Sequence, residues 1–585
     1  MNLKNILKVF KMGIKYFFKW IKSNFPQALT KMSKAKNDKV PIKRIDTLLI
    51  DLNGIFHGSA QKVFKYGDHK ELETLFFKPV QNYKVLQDKV FADICNKIQS
   101  IVSMTEPKKK LVLCIDGPAP IAKQRQQRAR RFARALESEN EKTVFDSNAI
   151  TPGTKFMDYL GKYIDFFIRE KISKDPTWKN LEVIFSNEKV PGEGEHKLLS
   201  YFRKIRNENK DDSYCVFGMD ADLIMLCLAT HHTNFYVLRE NSYEPDVDFY
   251  FINIQEIKNK LIDMLDWSNK EENKDESFVF DKETSINDFI AMCFSVGNDF
   301  LPHIPGIEIN ENGIEIMIHA YKEASREYGH MTMTTKNDNE AILCLDSFRQ
   351  FMKNLSKNEQ KVFENKLQHQ EEYFEDTLIQ KSTTNNLFDI KTYRKNYYKT
   401  KFQLEEKDQL IKICHSYIEG IQWVLSYYTK GISNWKWFYP YNYAPFSHDI
   451  YKSVSTFEFP RHTDTKPTLP FIQLLSVLPP KSSRLIPPPL CGLLDGLLKK
   501  YCPSKFEIDI SGMRQKWEGI VIIPFIDYEE VEKLYFQYKD YIPENELVRN
   551  KLGKSYIYKY STNNYAFKSY YGELNCFVST NIIDF

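Results

Sequence analysis

The sequence has no long uninterrupted hydrophobic run, although its first segment is rich in aromatic and aliphatic residues. Lysines break up the apolar residues every few positions in MNLKNILKVFKMGIKYFFKWIKSNFP. No run approaches the roughly 18 to 20 apolar residues that span a bilayer, and no small-residue cleavage site follows. We therefore expect no membrane anchor and no signal peptide, and we predict an amphipathic helix that ends near Pro26. Binding of this helix to a membrane surface is the alternative.

The sequence also lacks any CxxC pair, any internal repeat and any strong excess of charge. Several of its 10 cysteines lie inside apolar runs, including Cys114, Cys215, Cys227 and Cys293. We interpret them as reduced core residues, which excludes a disulfide scaffold and a zinc site and indicates the cytoplasm, with the nucleus as the alternative. The formal net charge of +5 is small for 585 residues, so a polyanionic partner has to meet a local basic patch.

The hydrophobic pattern divides the chain into regions of different character. From about Arg44 to Glu240, short apolar runs alternate with longer helical patterns, which is typical of an α/β domain with a mainly parallel sheet flanked by helices. We predict this α/β domain over residues 1–330. A largely helical, charged region with an aromatic segment follows over 331–453, and a small mixed α/β module packed on the first domain over 454–585. The polar segment around Trp267 to Thr284 is predicted to be a surface loop.

Acidic residues stand where the predicted strands end. In a parallel sheet these ends meet at one edge, which is where ligands bind in such folds. A carboxylate there loses hydration and gains no apolar burial, so several together need a cation. The acids are Asp51, Asp116, Glu193, Glu195, Asp220 and Asp222, and Asp299 follows the helical pattern INDFIAMCFSVGNDF.

The spacing of these acids favours a metal centre. Two pairs occur as Glu-Gly-Glu and Asp-Ala-Asp, and in an extended segment this spacing puts both side chains on one face. Helix capping is the alternative for any single acid, such as Asp51, Asp116 or Asp222. Capping does not explain the whole set, so we predict a site for two Mg²⁺ ions, with Mn²⁺ as a substitute. Two such ions about 3.5 to 4 Å apart support phosphodiester hydrolysis.

A basic helix follows the second acidic strand. In IAKQRQQRARRFARAL, Lys123, Gln127 and Arg131 recur at a spacing of four residues, and Arg130 lies on an adjacent ridge. Arginine binds phosphate through two parallel hydrogen bonds, and a terminal phosphate carries more charge than an internal diester. A solvated charged helix is the alternative. Because the helix begins so close to Asp116, we favour a phosphate pocket.

These motifs resemble those of the 5′-to-3′ exoribonuclease family of the Xrn and Rat type, in order along most of the chain. The resemblance is carried first by GIKYFFKWIKSNFP, LLIDLNGIFH, IDGPAPIAKQRQQRARRF, FDSNAITPGTKFM, VPGEGEHKLL, GMDADLIMLCLATH and VGNDFLPHIP. Later segments are similar to the second characteristic region of that family. They are NYYKTKF, EGIQWVLSYYTKGISNWKWFYPYNYAP, PFIQLLSVLPP and WEGIVIIPFID.

The resemblance implies a PIN/FEN-like nuclease core and a role for each candidate residue. It implies that the seven acids bind the metal ions and that Lys123, Gln127, Arg130 and Arg131 hold a 5′ monophosphate. A histidine and a tryptophan of the family sandwich the terminal base. His57 matches the histidine, and for the tryptophan we prefer Trp435, with Trp437 as the alternative.

The activity that the resemblance implies is processive 5′-to-3′ hydrolysis of 5′-monophosphorylated single-stranded RNA to nucleoside 5′-monophosphates. We expect a monomer that acts in RNA degradation such as mRNA decay, without the long C-terminal extension of the large cytoplasmic members. A flap-type, structure-specific 5′ nuclease is one alternative, although we find no convincing helix-hairpin-helix element. An inactive RNA-binding scaffold is the other, and it predicts the loss of some acids, all of which are present.

Overall fold

The fold is built around one large β-sheet. A computed structural model describes residues 14, 16–36, 38–69, 82–137, 145–208, 210–241, 244–268, 278–335, 340–384, 387–460 and 465–584. Within these residues the sheet has nine strands in the order β1-β7-β6-β5-β2-β3-β4-β14-β15. Its strands are β1 (Leu29–Met32), β2 (Thr47–Asp51), β3 (Lys110–Cys114), β4 (Glu182–Ser186), β5 (Tyr214–Phe217), β6 (Phe235–Glu240), β7 (Phe249–Asn253), β14 (Ser555–Ser569) and β15 (Gly572–Ile583).

The centre of the sheet is parallel, as the apolar runs predict. β6, β5, β2, β3 and β4 pair in parallel, whereas β1, β7, β14 and β15 are antiparallel to their neighbours. Parallel strands are covered by helices on both faces and therefore need continuous apolar sequence. Leu48, Leu49 and Ile50 of β2 are accordingly all fully buried. The predicted α/β class with a mainly parallel sheet is confirmed.

Helices cover both faces of the sheet and form most of the second region. In the first part of the chain they are α1 (Phe17–Asn24), α2 (Asn53–Phe64), α3 (Tyr83–Thr105), α4 (Ile121–Glu137), α5 (Lys155–Lys174), α6 (Pro176–Lys179), α7 (Gly194–Ile205), α8 (Leu223–Leu228), α9 (Ile254–Leu265), α10 (Lys282–Cys293) and α11 (Gly313–Tyr328). Those that follow are α12 (Leu345–Ser356), α13 (Glu359–Gln368), α14 (Thr377–Lys381), α15 (Ile390–Phe402), α16 (Lys407–Thr429), α17 (Ser447–Ser453), α18 (Pro470–Val477), α19 (Pro488–Cys491), α20 (Tyr528–Tyr538) and α21 (Glu544–Leu547). Short strands form three two-stranded ladders: β8 (Thr332–Thr334) with β9 (Ala341–Leu343), β10 (Thr383–Thr384) with β11 (Leu387–Phe388), and β12 (Glu507–Asp509) with β13 (Ile520–Ile522).

The predicted N-terminal amphipathic helix is α1, and its apolar face is buried in the protein core. Phe17, Trp20 and Ile21 are buried, and Trp20 Nε1 donates a hydrogen bond to Glu315 Oε1 at 2.8 Å. The core of the protein therefore covers the face that a membrane surface would need. Residues 1–13 of the same segment lie outside the described residues. Among the residues that the structure describes, no helix has the length and apolarity to cross a membrane.

The region predicted as a C-terminal module packs on the first domain in two places. β14 pairs antiparallel with β4, so the hairpin of β14 and β15 extends the main sheet. Helix α18 packs against the basic helix α4. All ten cysteines are free, and Cys114, Cys215, Cys227 and Cys293 are buried in the core as predicted.

The segment predicted as a surface loop around Trp267 begins inside the core. Trp267 is buried, and its ring packs edge-on against Phe280 and His330, with ring centroids 5.8 Å apart in both cases. The prediction was wrong at Trp267 because the polar residues that follow it hid the anchoring role of the tryptophan. Residues 269–277 lie outside the described part of the chain.

Candidate active site

The acids predicted from the strand ends converge at one edge of the sheet. Asp51 is the last residue of β2, Asp116 follows β3, and Asp222 follows β5 and precedes α8. These three strands are direct neighbours. Carboxylate oxygens of Glu195, Asp220 and Asp222 all lie within 4.8 Å of one another. The sheet order thus brings acids from separate motifs into one cluster.

Capping does not account for these acids. Asp222 occupies the N-cap position of α8 and Glu193 that of α7, but neither side chain makes a capping hydrogen bond. Asp51 Oδ1 accepts a hydrogen bond from the backbone N–H of Asn53 at 3.3 Å, which is a weak local contact. The carboxylates are thus oriented mainly by other groups of the site.

The backbone of the Glu-Gly-Glu motif is not the extended segment that the spacing predicts. Glu193 has an extended backbone, whereas Glu195 already lies in the first turn of α7, so the two side chains do not follow the two-residue period of a strand. Glu193 contacts Lys123, and Glu195 joins the cluster with Asp220 and Asp222. The expectation of an extended segment was wrong here because helix α7 begins between the two acids.

Gly194 lies at the closest approach of two acidic strand ends. Its backbone N–H donates to Asp116 Oδ1 at 2.6 Å. A Cβ atom at this position would collide with Asp51 Oδ1 and lie 3.3 Å from Asp116 Oδ1. The start of α7 can reach these two carboxylates only because residue 194 has no side chain.

Lys123 of α4 links the basic helix to the acids. Its Nζ lies 2.5 Å from Glu193 Oε2 and 2.6 Å from Asp299 Oδ2, and all three side chains are almost fully buried. Burial alone would lower the pKa of Lys123, but Asp299 and Glu193 outweigh it and hold that pKa well above its usual range. Lys123 is therefore an ammonium group within the acidic cluster.

Crowding of buried carboxylates raises their pKa values. Burial and the charges of Asp116 and Asp220 hold the pKa of Asp51 well above its usual range. Burial raises the pKa of Glu193 to about 7, although Lys123 opposes the shift. Asp222 Oδ1 is buried and has no hydrogen-bond partner among the described residues. Oxygen ligands with this geometry and this excess of negative charge fit a hard divalent cation.

The basic face of α4 lies beside the acids, as its spacing predicts. Lys123, Gln127 and Arg131 are buried, and Arg131 Nη2 donates to Thr151 Oγ1 at 2.9 Å. Its Nη1 is buried with no partner among the residues described. Burial, together with the positive charge of Arg130, lowers the pKa of Arg131 to about 9. A buried guanidinium with an unused donor is suited to an anion.

His57 lies on α2 near the same arginines. Burial, and then the charges of Arg134, Arg130 and Arg131, hold the pKa of His57 well below its usual range. The imidazole is therefore neutral at physiological pH, which leaves a flat ring beside a cationic pocket.

The two candidate tryptophans have different environments. Trp437 is buried, and its ring stacks on Trp423 with centroids 4.8 Å apart. Trp435 is partly exposed, and its carbonyl accepts a hydrogen bond from the N–H of Ile121 at 2.9 Å, at the start of α4. Only Trp435 combines an accessible ring with a position beside the basic helix.

Comparison with known families accounts for nearly all of this architecture. A family model described as "XRN 5′-3′ exonuclease N-terminus" matches residues 12–241. A second model, described as "Xrn1 helical domain", matches residues 279–392 and 387–577, which is more than half of the chain. The chain belongs to the Xrn family of 5′-3′ exonucleases.

Curated members of the Xrn family are similar over most of this chain. Human 5′-3′ exoribonuclease 1 is 30% identical over 88% of the chain, and the 5′-3′ exoribonuclease 2 homolog of Drosophila melanogaster is 27% identical over 94%. The 5′-3′ exoribonuclease 1 of Saccharomyces cerevisiae is 27% identical over 94%. The chain spans 33% of the human protein, 73% of the Drosophila protein and 45% of the yeast protein.

Two residues of the site were not predicted from the sequence. Tyr427 and Tyr428 come from α16, in the part that matches the second Xrn model, and their hydroxyl groups reach Glu193 and Asp222. Sequence spacing cannot predict a contact between a helix and acids that lie about 200 residues earlier in the chain. The adjacent tyrosines in VLSYYTK were the only local signal, and two tyrosines in an apolar helix ordinarily indicate core packing.

Proposed function

We propose that the chain is a processive 5′-to-3′ exoribonuclease that hydrolyses 5′-monophosphorylated single-stranded RNA to nucleoside 5′-monophosphates. The observation that carries this proposal is the contact of Lys123 with both Glu193 and Asp299, because the basic face of α4, which we propose binds the phosphate, then lies directly beside the acids. A site that cuts beside a terminal-phosphate pocket removes one nucleotide from the 5′ end. The family membership supports RNA as the substrate.

In this proposal the seven acids would hold two Mg²⁺ ions, with Glu195, Asp220 and Asp222 sharing one of them. When bound, such ions activate water and stabilise the charge of the leaving oxygen. Water adds to phosphorus, the bond to the 3′ oxygen breaks, and that oxygen leaves with a proton as a 3′ hydroxyl. The remaining RNA again carries a 5′ phosphate, which is the group the pocket needs for the next cut.

Residues of α4 and two rings would select and hold the end of the strand. Lys123, Gln127, Arg130 and Arg131 would bind the 5′ monophosphate, and the limited space beside them would exclude capped and triphosphorylated ends. Stacking of the first base between His57 and Trp435 binds any base, which suits an enzyme that degrades every sequence.

One assay tests the proposal. We expect mononucleotides to be released from 5′-phosphorylated RNA in Mg²⁺, but not from capped RNA or a flap DNA, and not in EDTA. Asp222→Ala should abolish hydrolysis because the metal loses a ligand, while RNA binding in EDTA persists. Preferred cleavage of the flap DNA would favour the structure-specific nuclease. RNA binding without any hydrolysis would identify an inactive scaffold.

We further propose that the protein is a monomer. We also propose that it works in the cytoplasm or the nucleus, a reducing location that the ten free cysteines support. Light scattering during size exclusion should give a mass near the 69.1 kDa of one chain. A mass twice as large would contradict the monomer.

A further inference from the structure

Helix α16 donates two consecutive side-chain hydroxyls to the acids of the nuclease sheet. Tyr427 Oη donates to Glu193 Oε1 at 3.0 Å, and Tyr428 Oη donates to Asp222 Oδ2 at 3.2 Å. Both tyrosines are almost fully buried. Consecutive helical residues point about 100° apart, so one turn of α16 can serve two acids on different elements.

Helix α7 fixes α16 against the site at two further points. The ring of His196 stacks on that of Tyr427, with centroids 3.5 Å apart and an angle of 3° between the planes. Arg203 Nη2 donates to the backbone carbonyl of Tyr428 at 2.7 Å. Because α7 also carries Glu195, the positions of the two helices and of the acids are mutually fixed.

Each hydroxyl occupies one oxygen of its carboxylate. At Glu193, Tyr427 contacts Oε1 while Lys123 contacts Oε2. At Asp222, Tyr428 contacts Oδ2, and Oδ1 is the buried oxygen without a partner among the described residues. A phenol hydroxyl carries its proton at neutral pH, so both tyrosines act as donors to these carboxylates. Asp222 is thus fixed through Oδ2 and presents Oδ1 in a defined direction, whereas both oxygens of Glu193 are held, one by Tyr427 and one by Lys123.

We propose that Tyr427 and Tyr428 are positioning residues of the metal centre, which orient Glu193 and Asp222 for a divalent cation. The inference rests on the proposed metal-dependent function and adds to it a contribution from the second region of the chain. Groups that orient metal ligands in this way typically contribute 10- to 100-fold to metal affinity.

The test replaces each tyrosine separately with phenylalanine, which keeps the ring and removes only the hydroxyl. Mn²⁺ binding to the full chain is measured by electron paramagnetic resonance without RNA. We expect Tyr427→Phe and Tyr428→Phe each to weaken Mn²⁺ binding about tenfold. Hydrolysis should then need more Mg²⁺ and recover at saturating Mg²⁺, while RNA affinity in EDTA stays at the wild-type value.

Tyr398→Phe is the matched control. Tyr398 is also buried and donates to a carboxylate, Asp449 Oδ2 at 2.7 Å, but outside the site. Tyr398→Phe should leave Mn²⁺ affinity unchanged. Wild-type Mn²⁺ affinity in both site variants would overturn the positioning role, as would a loss that Tyr398→Phe reproduces. If the wild-type chain binds Mn²⁺ but degrades no RNA, the proposed function fails while the comparison of variants still stands.

Discussion

At the scale of single residues, Glu188 is a buried carboxyl group behind the active site. It follows β4, is 3% exposed, and its Oε2 has no hydrogen-bond partner among the residues described. A Cβ atom at Gly161 of α5 would collide with that oxygen, so the helix passes directly against it. A carboxylate in this position loses hydration, and at Oε2 no hydrogen bond from the residues that the structure describes compensates for that loss.

The stability of the protein should therefore depend on the protonation of Glu188. Burial raises its pKa to about 7, from 4.5 in the unfolded chain. Since the folded state holds the proton more tightly, stability falls as the pH rises through this window. Glu188→Gln removes this dependence. Urea unfolding at about pH 5 and about pH 8.5 should show the variant gaining roughly 3 kcal/mol relative to wild type between the two.

The free energy of unfolding of the variant is compared with that of wild type at each pH, because the titration of the other acids contributes equally to both proteins. Glu170→Gln is the control, because Glu170 lies on the surface of α5 and pairs with Lys174 at 2.8 Å. It should show no such gain. An equal difference between Glu188→Gln and wild type at both pH values would contradict the prediction.

At the scale of elements, α4 has a second polar face besides the one that carries Lys123. Arg125 donates to the carbonyls of Tyr439 and Tyr441 and to Asn442 Oδ1. These acceptors belong to the aromatic segment that carries Trp435, whose own carbonyl is bonded to the start of α4. One helix thus holds both the predicted phosphate pocket and the predicted stacking residue.

Arg125→Lys should loosen the aromatic segment without changing the acids. Lysine cannot reach several acceptors with a planar fork, so some of these hydrogen bonds are lost. We expect RNA affinity, measured in EDTA by fluorescence anisotropy, to fall about tenfold, which corresponds to about 1.4 kcal/mol. Mn²⁺ affinity should stay at the wild-type value.

Arg128→Lys separates this effect from general weakening of α4. Arg128 also donates to carbonyls, those of Ser476 and Tyr501, but these lie outside the aromatic segment. Arg128→Lys should lower the melting temperature and leave RNA affinity unchanged. An equal loss of RNA affinity in both variants would show that Arg125 acts only through helix stability.

The parallel strands of the first domain and helix α4 could be predicted because each has a local signal. Continuous apolar runs gave the parallel strands, and the four-residue spacing of Lys123, Gln127 and Arg131 gave α4 and its buried face. The turn between Glu193 and Glu195 could not be read this way, because only the approach of Asp51 and Asp116 shows why the helix starts at the glycine. Contacts between residues that are far apart in the chain produce no periodic pattern in the sequence.

At the scale of the whole molecule, the two ends of the described chain are joined through the central sheet. β14 covers the edge of β4, and Tyr558 on β14 is 1% exposed, with its hydroxyl donating to Asp165 Oδ1 of α5 at 2.6 Å. An uncovered edge strand is open to pairing with another chain. The hairpin of β14 and β15 therefore covers β4 and makes β15 the edge strand of the extended sheet.

Tyr558→Ala should destabilise the whole protein. The change leaves a cavity under β14 and removes one of the hydrogen bonds to Asp165, which Arg169 also binds, and such losses cost about 3 to 5 kcal/mol. We expect a lower midpoint of urea unfolding and more aggregation on heating, measured by light scattering. Tyr570→Ala, at a position that is 56% exposed, should change neither. Wild-type unfolding of Tyr558→Ala would show that the hairpin is dispensable for stability.

Lys123 also places a positive charge of the chain itself among the acids of the site. Its ammonium group touches Glu193 and Asp299 from within the protein, so part of the repulsion among the acids is neutralised by the chain itself. Under the proposed function, the fold would therefore form without ions, and the ions would bind afterwards. Lys123 would then exchange its carboxylate neighbours for the 5′ phosphate, so that one side chain would act first as an internal counter-ion and then as a ligand for the strand.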